Sequence, residues 1–307
     1  MILVTGATGR VGYPLLEALA DAGAEVTAMV RVPAKGADLP GAVKPLVASF
    51  DDPPPAGVLQ SFDRIFLLSP AIQEQAELEI RFIDAVLAAG HRPHIVKMAM
   101  DGFQDPGVEV RFVRSHREIA AHLEASGLPV SYLAPAIYLE TLLAAAGRVS
   151  RQGMLYTPAG SGRAAYVAAR DVADVAARVL TTPGHEDRTY VLTGPEALTG
   201  QQLARRISTV FGREVGYADR PAAQVREELL ASGLGQWEVD GALELSDWVR
   251  EGGAATVTAD VPEVAGHPAT RVEDWLDDNR AAFLDFPPDL PPDVVGVSRA
   301  APPRPRR

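Results

Sequence analysis

The chain has no cysteine among its 307 residues. That absence excludes disulfide bonds, thiol nucleophiles and cysteine-ligated metal sites. Positively charged residues are also few: the chain has 29 lysines and arginines and 40 aspartates and glutamates, which gives a net charge of −11. A surface of that sign opposes the phosphates of nucleic acids and anionic lipid head groups, so we expect neither nucleic acid nor a membrane as a partner.

Long apolar runs are missing as well. The most apolar stretches are broken by charged residues, which predicts that no segment spans a membrane. The first apolar run starts at residue 1 and leaves no room for a signal peptide, so the expected location is the cytoplasm. The histidines other than His116 lack the spacing of a metal site, and we expect no bound metal; they are His91, His94, His122, His185 and His267.

What the chain does have is a glycine-rich turn at its start. An apolar run over 1–4 leads into Gly6, Gly9 and Gly12, and a helical pattern follows over 11–22. A strand, a glycine turn and a helix in this order form a cradle for a diphosphate. The first glycine permits the tight turn, the second lets the ligand approach the backbone, and the third lets the helix pack closely. An ordinary turn between a strand and a helix is the alternative.

Apolar runs alternate with amphipathic stretches through the first half of the chain. We predict strands at 2–4, 26–30, 43–47, 65–68, 95–98 and 130–133, and helices at 11–22, 76–89 and 115–125. Continuously apolar strands separated by helices indicate a parallel sheet that is covered on both faces. The expected fold is α/β, a doubly wound, Rossmann-like sheet whose ligand lies beyond the carboxyl ends of the strands.

The second half of the chain mixes its signals. A helix at 167–180 and a strand at 189–192 are expected to return to the main sheet, which assigns 1–195 to the Rossmann domain. Helices at 203–211, 225–231 and 243–250 indicate that 196–286 forms a smaller C-terminal α/β lobe for the substrate. The alternative is that part of 137–165 also belongs to this lobe. From residue 287 proline becomes abundant, and 287–307 is expected to be a mobile tail.

The end of the second predicted strand indicates which nucleotide binds. A site for NAD places a carboxylate there to hold the ribose 2′-hydroxyl, whereas this chain has Arg31, with Lys35 close behind it. A guanidinium can grip a 2′-phosphate and stack on adenine. NADP(H) is therefore the expected cofactor, and a solvated surface arginine is the alternative.

Five segments of the chain match a known family pattern: Thr5-Gly-Ala-Thr-Gly-Arg-Val-Gly12, Phe66-Leu-Leu-Ser-Pro70, His94-Ile-Val-Lys-Met98, Ser126-Gly-Leu-Pro129 and Thr193-Gly-Pro-Glu-Ala-Leu198. Together they resemble the NmrA-like branch of the atypical short-chain dehydrogenases/reductases, over roughly residues 1 to 285. Proteins of this branch include NADPH-dependent quinone and azo-dye reductases, plant phenylpropanoid reductases, and redox-sensing regulators that bind the dinucleotide without turning it over.

The resemblance implies where the cofactor lies. Arg31 matches the reader of the 2′-phosphate, and Phe50 follows the third strand, where the adenine is lined. Leu68 and Ser69 match the segment that passes the nicotinamide ribose. The diphosphate loop is matched by Gly6, Thr8, Gly9, Arg10, Val11 and Gly12.

The tyrosine and lysine that the wider superfamily uses for proton transfer are replaced at the matching positions by Phe112 and His116. His116 is a candidate to shuttle protons or to bond the nicotinamide ribose, with a helix-capping or solvent-exposed histidine as the alternative. Tyr138 follows the sixth predicted strand and is a second catalytic candidate, or else a buried tyrosine with a backbone partner. Lys97 ends a predicted strand, where it either contacts the cofactor or snorkels from the core.

Three functions remain open at this point. The leading one is hydride transfer from NADPH to a small quinonoid or aromatic electrophile, because a reduced quinone needs little acid assistance. The second is a sensor that binds NADP(H) without turnover. The third is an enzyme of secondary metabolism, a reductase, cyclase or dehydratase on the same fold. The expected partner is a small-molecule substrate, and a homodimer is left open.

Overall fold

A computed structural model describes residues 1–41 and 43–284 of the chain. The described part contains eleven strands: β1 (Ile2–Val4), β2 (Val26–Val30), β3 (Lys44–Val47), β4 (Arg64–Leu67), β5 (His94–Met98), β6 (Val130–Pro135), β7 (Met154–Thr157), β8 (Arg163–Ala165), β9 (Thr189–Leu192), β10 (Ala197–Thr199) and β11 (Gly216–Asp219). It contains twelve α-helices: α1 (Gly12–Asp21), α2 (Ala56–Leu59), α3 (Gln75–Ala88), α4 (Arg111–Ser126), α5 (Ala146–Gln152), α6 (Ala169–Thr181), α7 (Gly200–Phe211), α8 (Ala222–Ala231), α9 (Gln236–Arg250), α10 (Asp260–Ala265), α11 (Val272–Asp278) and α12 (Arg280–Leu284). Short 3-10 segments lie at Pro33–Asp38 and Leu139–Ala145.

Seven strands form one parallel sheet in the order β3-β2-β1-β4-β5-β6-β9. The order reverses at β1, where Ile2 pairs with Val26 of β2 on one side and with Arg64 of β4 on the other. This is the doubly wound, Rossmann-like arrangement, so the predicted fold class is confirmed. In such sheets the ligand crevice lies beyond the carboxyl ends of the strands, beside the reversal.

Helices cover both faces of the sheet because the central strands are apolar on both sides; β1, β2 and β5 are buried along their whole length. On one face α1 and α6 pack through residues such as Leu15 and Val172. On the other face α3 and α4 pack through residues such as Phe82 and Ile119. The two apolar layers hold the strand ends in place, and those ends build the crevice.

Two small sheets lie outside the main one. β7 pairs in parallel with β11, and β8 pairs antiparallel with β10. A third apolar cluster, which includes Leu203, Ile207 and Trp275, joins the elements around them. α6 and β9 pack with the main sheet, as expected for 167–192, whereas residues 154–165 pair with strands of the C-terminal part. The division at residue 195 stays a prediction, and the proposed tail at 287–307 lies outside the described residues.

The observed elements differ from the predicted ones mainly at their ends. α4 begins at Arg111 rather than 115, because Val113 extends the buried face that Ile119 and Leu123 continue. α9 begins at Gln236 rather than 243, with Gly235 as its cap. The sequence prediction does not include the strands of the small sheets or α10–α12. These elements are too short to show a clear hydrophobic periodicity. None of the described helices is both long and apolar enough to cross a bilayer.

Candidate active site

Thr5 ties together the carboxyl ends of β1 and β4. Its buried hydroxyl donates to the Leu68 carbonyl at 2.9 Å and accepts from the Leu68 amide at 2.8 Å. This double contact lies at the reversal of strand order. It sets the glycine turn that follows β1 beside the Leu68–Ser69 segment that follows β4, as the expected cofactor path requires.

The turn after β1 has room for nothing larger than glycine at two positions. Gly6 has a φ of +60°, and a Cβ there would lie 2.8 Å from the Leu68 carbonyl oxygen. A Cβ on Gly12 would lie 2.1 Å from the Gly6 carbonyl oxygen, so α1 starts directly against the turn. Gly9 differs, because the Gly6 carbonyl oxygen at 3.1 Å is the only described atom within 4 Å of its Cβ position. Its outer side is open to a ligand.

The amino end of α1 has no side-chain cap among the described residues, although the Tyr13 amide donates to the Gly9 carbonyl at 3.0 Å. The cap residue Val11 makes no side-chain hydrogen bond, and the first turn of α1 contains no acidic residue. Free N–H groups and the helix dipole favour an anion at such an end. The half-buried side chains of Thr8 and Arg10 border the same turn. The open backbone at Gly9 and the uncapped helix therefore fit a diphosphate.

Arg31 directly follows the last residue of β2 and is exposed. Within the described part of the chain it makes no ion pair, so its guanidinium is available to a ligand. Lys35, in the 3-10 segment after it, is exposed as well. The arrangement fits a 2′-phosphate. Phe50 is instead buried, with its ring centroid 5.6 Å from that of Phe82, so most of this ring belongs to the core.

Tyr138 lies near the glycine turn. The Arg10 guanidinium is 5.7 Å from the centroid of its ring, and its hydroxyl lies 3.8 Å from Sδ of Met98 in β5. A thioether is a weak acceptor. This hydroxyl makes no hydrogen bond to a backbone group among the described residues, which was the alternative considered from the sequence. Burial raises the pKa of Tyr138 above its ordinary value, which keeps the phenol neutral and makes it a poor acid.

Lys97 and Glu79 form an ion pair inside the protein. Lys97 Nζ lies 2.8 Å from Glu79 Oε2, and the two side chains are 1% and 0% exposed. Ser69 is also buried, and its hydroxyl donates to Glu79 Oε1 at 2.6 Å. Both Lys97 and Ser69 were expected at the cofactor; the structure places their side chains in this buried network, with their polar atoms directed at Glu79.

His116 of α4 contacts the same pair. Its Nδ1 lies 3.4 Å from Lys97 Nζ, and the residue is 8% exposed. Burial and the charge of Lys97 hold the pKa of His116 well below its ordinary value. The ring is therefore neutral at neutral pH. This state suits a hydrogen-bond donor better than a proton shuttle, and the structure excludes the predicted alternative of a solvent-exposed ring.

The two catalytic candidates lie on opposite faces of β5. His116 contacts Lys97, whereas Tyr138 contacts Met98. Consecutive strand residues point to opposite faces, which accounts for the separation. The structure thus gathers Arg10 and Tyr138 around the glycine turn and sets His116 on the side of α3 and α4.

Phe112, one turn before His116 on α4, is covered by α9. Its ring centroid lies 5.1 Å from that of Trp237, in an edge-to-face arrangement. Arg111 beside it forms an ion pair with Glu244 at 2.6 Å. The position that the resemblance assigns to the superfamily tyrosine is therefore occupied by apolar packing between two helices.

Two ionisable residues near the strand ends escape the sequence prediction. Glu79 lies on the same apolar face of α3 as Ala76 and Ile83. An acidic residue on the apolar face of a predicted helix is the sequence signal that could have identified Glu79. Asp101 follows β5, and its amide donates to the Pro135 carbonyl at 3.1 Å. Its Oδ2 has no hydrogen-bond partner among the described residues, and burial raises the pKa of the carboxyl.

The family model described as NmrA-like matches residues 1–275. The chain belongs to the NmrA-like family. It is 31% identical over 284 residues to the (4-alkanoyl-5-oxo-2,5-dihydrofuran-3-yl)methyl phosphate reductase of Streptomyces griseus, covering 92% of this chain and 99% of that protein. It is 29% identical over 287 residues to the NAD(P)H azoreductase of Xenophilus azovorans, with the same coverage of both chains.

A solved structure of a reductase has the same fold. The NADPH-dependent quinone oxidoreductase of Escherichia coli in complex with NADPH superposes with a TM-score of 0.82 at 27% identity. The superposition covers 90% of this chain and 98% of that one. The family resemblance seen in the glycine turn and in Thr193–Leu198 is therefore confirmed over nearly the whole chain.

Proposed function

We propose that this protein is an NADPH-dependent reductase that transfers hydride to a small quinonoid or aromatic electrophile. The observation that carries the proposal is the pairing of an open glycine cradle with an arginine at the end of β2 that makes no ion pair among the described residues. Three relatives support it, since their names describe an NAD(P)H azoreductase, an NADPH-dependent quinone oxidoreductase and a further reductase.

The residues that would hold NADPH lie along one path across the strand ends. The amides of Val11 and Gly12 at the start of α1 would bind the diphosphate, beside the open backbone of Gly9. Arg31 would bind the 2′-phosphate, and Arg10 is close enough to the turn to neutralise a second charge. Leu68 would border the nicotinamide ribose. The bound cofactor supplies the hydride, and the chain's own contribution is to fix its position against the substrate.

The choice of substrate follows from the weakness of the acids at the site. The candidates are a neutral His116 and a Tyr138 whose pKa is raised. A simple ketone gives an alkoxide that must be protonated at once, and neither group is suited to that task. A quinone gains a hydride and then one proton from water, because its reduced oxygen is stable as an anion. The site therefore favours acceptors whose reduced form stabilises negative charge.

A conjugated carbonyl compound is a second candidate of the same kind. The name of the Streptomyces griseus relative describes an oxo-dihydrofuran that carries an alkanoyl group. Hydride addition to such an acceptor leaves its charge spread over oxygen and carbon, and it also needs no strong acid. This chemistry would make the protein an enzyme of a biosynthetic pathway, the third function considered above.

The experiment follows NADPH oxidation by absorbance with three acceptors of similar size: a quinone, an unsaturated lactone and a saturated ketone. We expect turnover with one or both of the first two and almost none with the ketone. Brisk ketone reduction would contradict the substrate class. Tight NADPH binding without turnover of any acceptor would favour the sensor instead.

A further inference from the structure

A fully buried ion pair lies behind His116 and has no part in the function proposed above. Besides Lys97 the chain has two lysines, Lys35 and Lys44, and both are exposed. Burying Lys97 with Glu79 removes two charges from water, and an apolar pair of similar size often packs equally well. The pair is therefore weak evidence for stability, and its geometry indicates another role.

The Lys97 ammonium has three hydrogens and three acceptors around it. Glu79 Oε2 lies 2.8 Å from Nζ as an ion-pair partner, the Met98 carbonyl accepts a hydrogen bond, and His116 Nδ1 lies 3.4 Å away. An ammonium group can only donate. In the contact with His116, Nδ1 is therefore the acceptor.

The tautomer of His116 follows from that contact. A neutral imidazole carries one hydrogen, either on Nδ1 or on Nε2. Because Nδ1 accepts from Lys97, the hydrogen is on Nε2. The contact at Nδ1 is the hydrogen bond that this ring makes within the described residues, so Nε2 is left for a ligand.

We propose that Lys97 and Glu79 are positioning residues that hold His116 as its Nε2–H tautomer, so that the ring presents a hydrogen-bond donor to the acceptor atom that gains negative charge. Glu79 orients Lys97, and Ser69 orients Glu79 through its hydrogen bond of 2.6 Å. The identity of the charged atom rests on the proposed reductase function, whereas the state of the ring does not. A fixed donor of this kind stabilises charge without giving up its proton.

Burial and the charge of Lys97 keep the His116 ring neutral. Lys97 faces it from β5, and Glu79 stands behind Lys97 on α3. The residues one turn away on α4, Phe112 and Ala120, do not ionise. Burial first and Lys97 second lower the pKa of His116, so the neutral ring prevails at every pH above that lowered value. We expect the donor to be present throughout the neutral range.

The first test reads the state of the ring in the whole protein. Long-range ¹H–¹⁵N correlation spectra of ¹⁵N-histidine-labelled protein report the tautomer, and His116→Gln assigns the signal among the six histidines. We expect an Nε2–H ring that does not titrate between roughly pH 6 and pH 8. An Nδ1–H ring, or one that titrates near the ordinary value of about 6.5, overturns the proposal. This readout needs no turnover, so its failure is distinct from a failure of the reductase function.

The second test removes the pair. Lys97→Met with Glu79→Gln deletes both charges and leaves neither buried alone. We expect the ring to mix tautomers and its pKa to rise relative to the unsubstituted protein, although burial still holds that pKa below the ordinary value. The same substitutions at the exposed pair Lys44 and Glu25, 3.0 Å apart, are the matched control and should leave the His116 signal unchanged. An unchanged Nε2–H ring in the Lys97/Glu79 variant overturns the proposal; if that variant does not fold, the measurement on the unsubstituted protein decides.

Kinetics with an accepted substrate give a signature that a purely structural role would not. We expect the Lys97/Glu79 variant to lose on the order of tenfold in kcat near pH 8, less than the 10²–10³-fold cost of deleting an oxyanion donor. Its KM for NADPH should not change. Its kcat should recover at low pH, once the His116 ring of the variant is protonated, since a protonated imidazole carries hydrogen on both nitrogens. A loss of kcat that is equal at all pH values contradicts the proposal.

Discussion

The ring of Phe112 lies against the backbone of Gly241. A Cβ on Gly241 would lie 2.4 Å from Cζ of Phe112, so α9 approaches α4 as closely as a glycine allows. Trp237 packs on the same ring from one turn earlier on α9. The two helices are thus joined at the position that the family resemblance assigns to the tyrosine.

Gly241→Ala should destabilise the protein by about 1–3 kcal/mol, because the added methyl group overpacks the contact with Phe112. Chemical denaturation measures the loss. Gly57→Ala is the matched control, since Gly57 also lies in a helix and, beyond its chain neighbours and its own helix backbone, no described atom lies within 4 Å of its Cβ position. If both variants unfold at the same denaturant concentration as the unsubstituted protein, the close contact between Gly241 of α9 and the Phe112 ring is contradicted.

Arg31→Ala should erase most of the preference for NADPH over NADH. A charge-assisted hydrogen bond contributes roughly 1.5–3 kcal/mol, which corresponds to about tenfold to hundredfold in affinity. NADH binding should change little, because it has no 2′-phosphate. Titration by nicotinamide fluorescence measures both affinities. Equal affinities for the two cofactors in the unsubstituted protein would rule out this role for Arg31.

Gly9→Val should abolish dinucleotide binding without unfolding the protein. The Cβ position of Gly9 faces open space except for one carbonyl oxygen at 3.1 Å, so the branched side chain would occupy the place of the diphosphate. Far-UV circular dichroism checks the fold, and calorimetric titration with NADPH checks binding. Retained binding by a folded variant would show that the diphosphate lies elsewhere.

Asp101→Asn should stabilise the protein at neutral pH. Burial raises the pKa of the Asp101 carboxyl, so the folded state disfavours its charged form. That cost is fully present above the raised pKa and disappears below the unfolded value of about 3.9. The gain in unfolding free energy should therefore be largest near pH 7 and fade as the pH falls. Thermal melts across this range measure it, and an equal effect at all pH values would refute the assignment.

The sheet and the glycine turn could be predicted because their signals are local. Continuous apolar runs give the parallel strands, and Gly6, Gly9 and Gly12 give the turn. The exposed place of Arg31 directly after β2 could be predicted in the same way, and its role at the 2′-phosphate stays a prediction. In each case one strand and its nearest neighbours in sequence carry the information.

The network behind His116 could not be predicted, because it joins three separate elements. Glu79 comes from α3, Lys97 from β5 and His116 from α4. No spacing in the chain relates them, and only the packing of α3 and α4 on one face of the sheet brings them together. The cover that α9 places over Phe112 is likewise a contact between distant segments.

The most direct test of the proposed hydride transfer is single-turnover oxidation of NADPH that is deuterated at either face of nicotinamide C4, with a quinone as acceptor. Each labelled form is mixed with the enzyme in a separate stopped-flow experiment. A single turnover separates the hydride-transfer step from product release. We expect deuterium at one face to slow the reaction and deuterium at the other face to leave it unchanged. Equal rates with both forms, or no oxidation despite firm NADPH binding, would contradict the proposed hydride transfer.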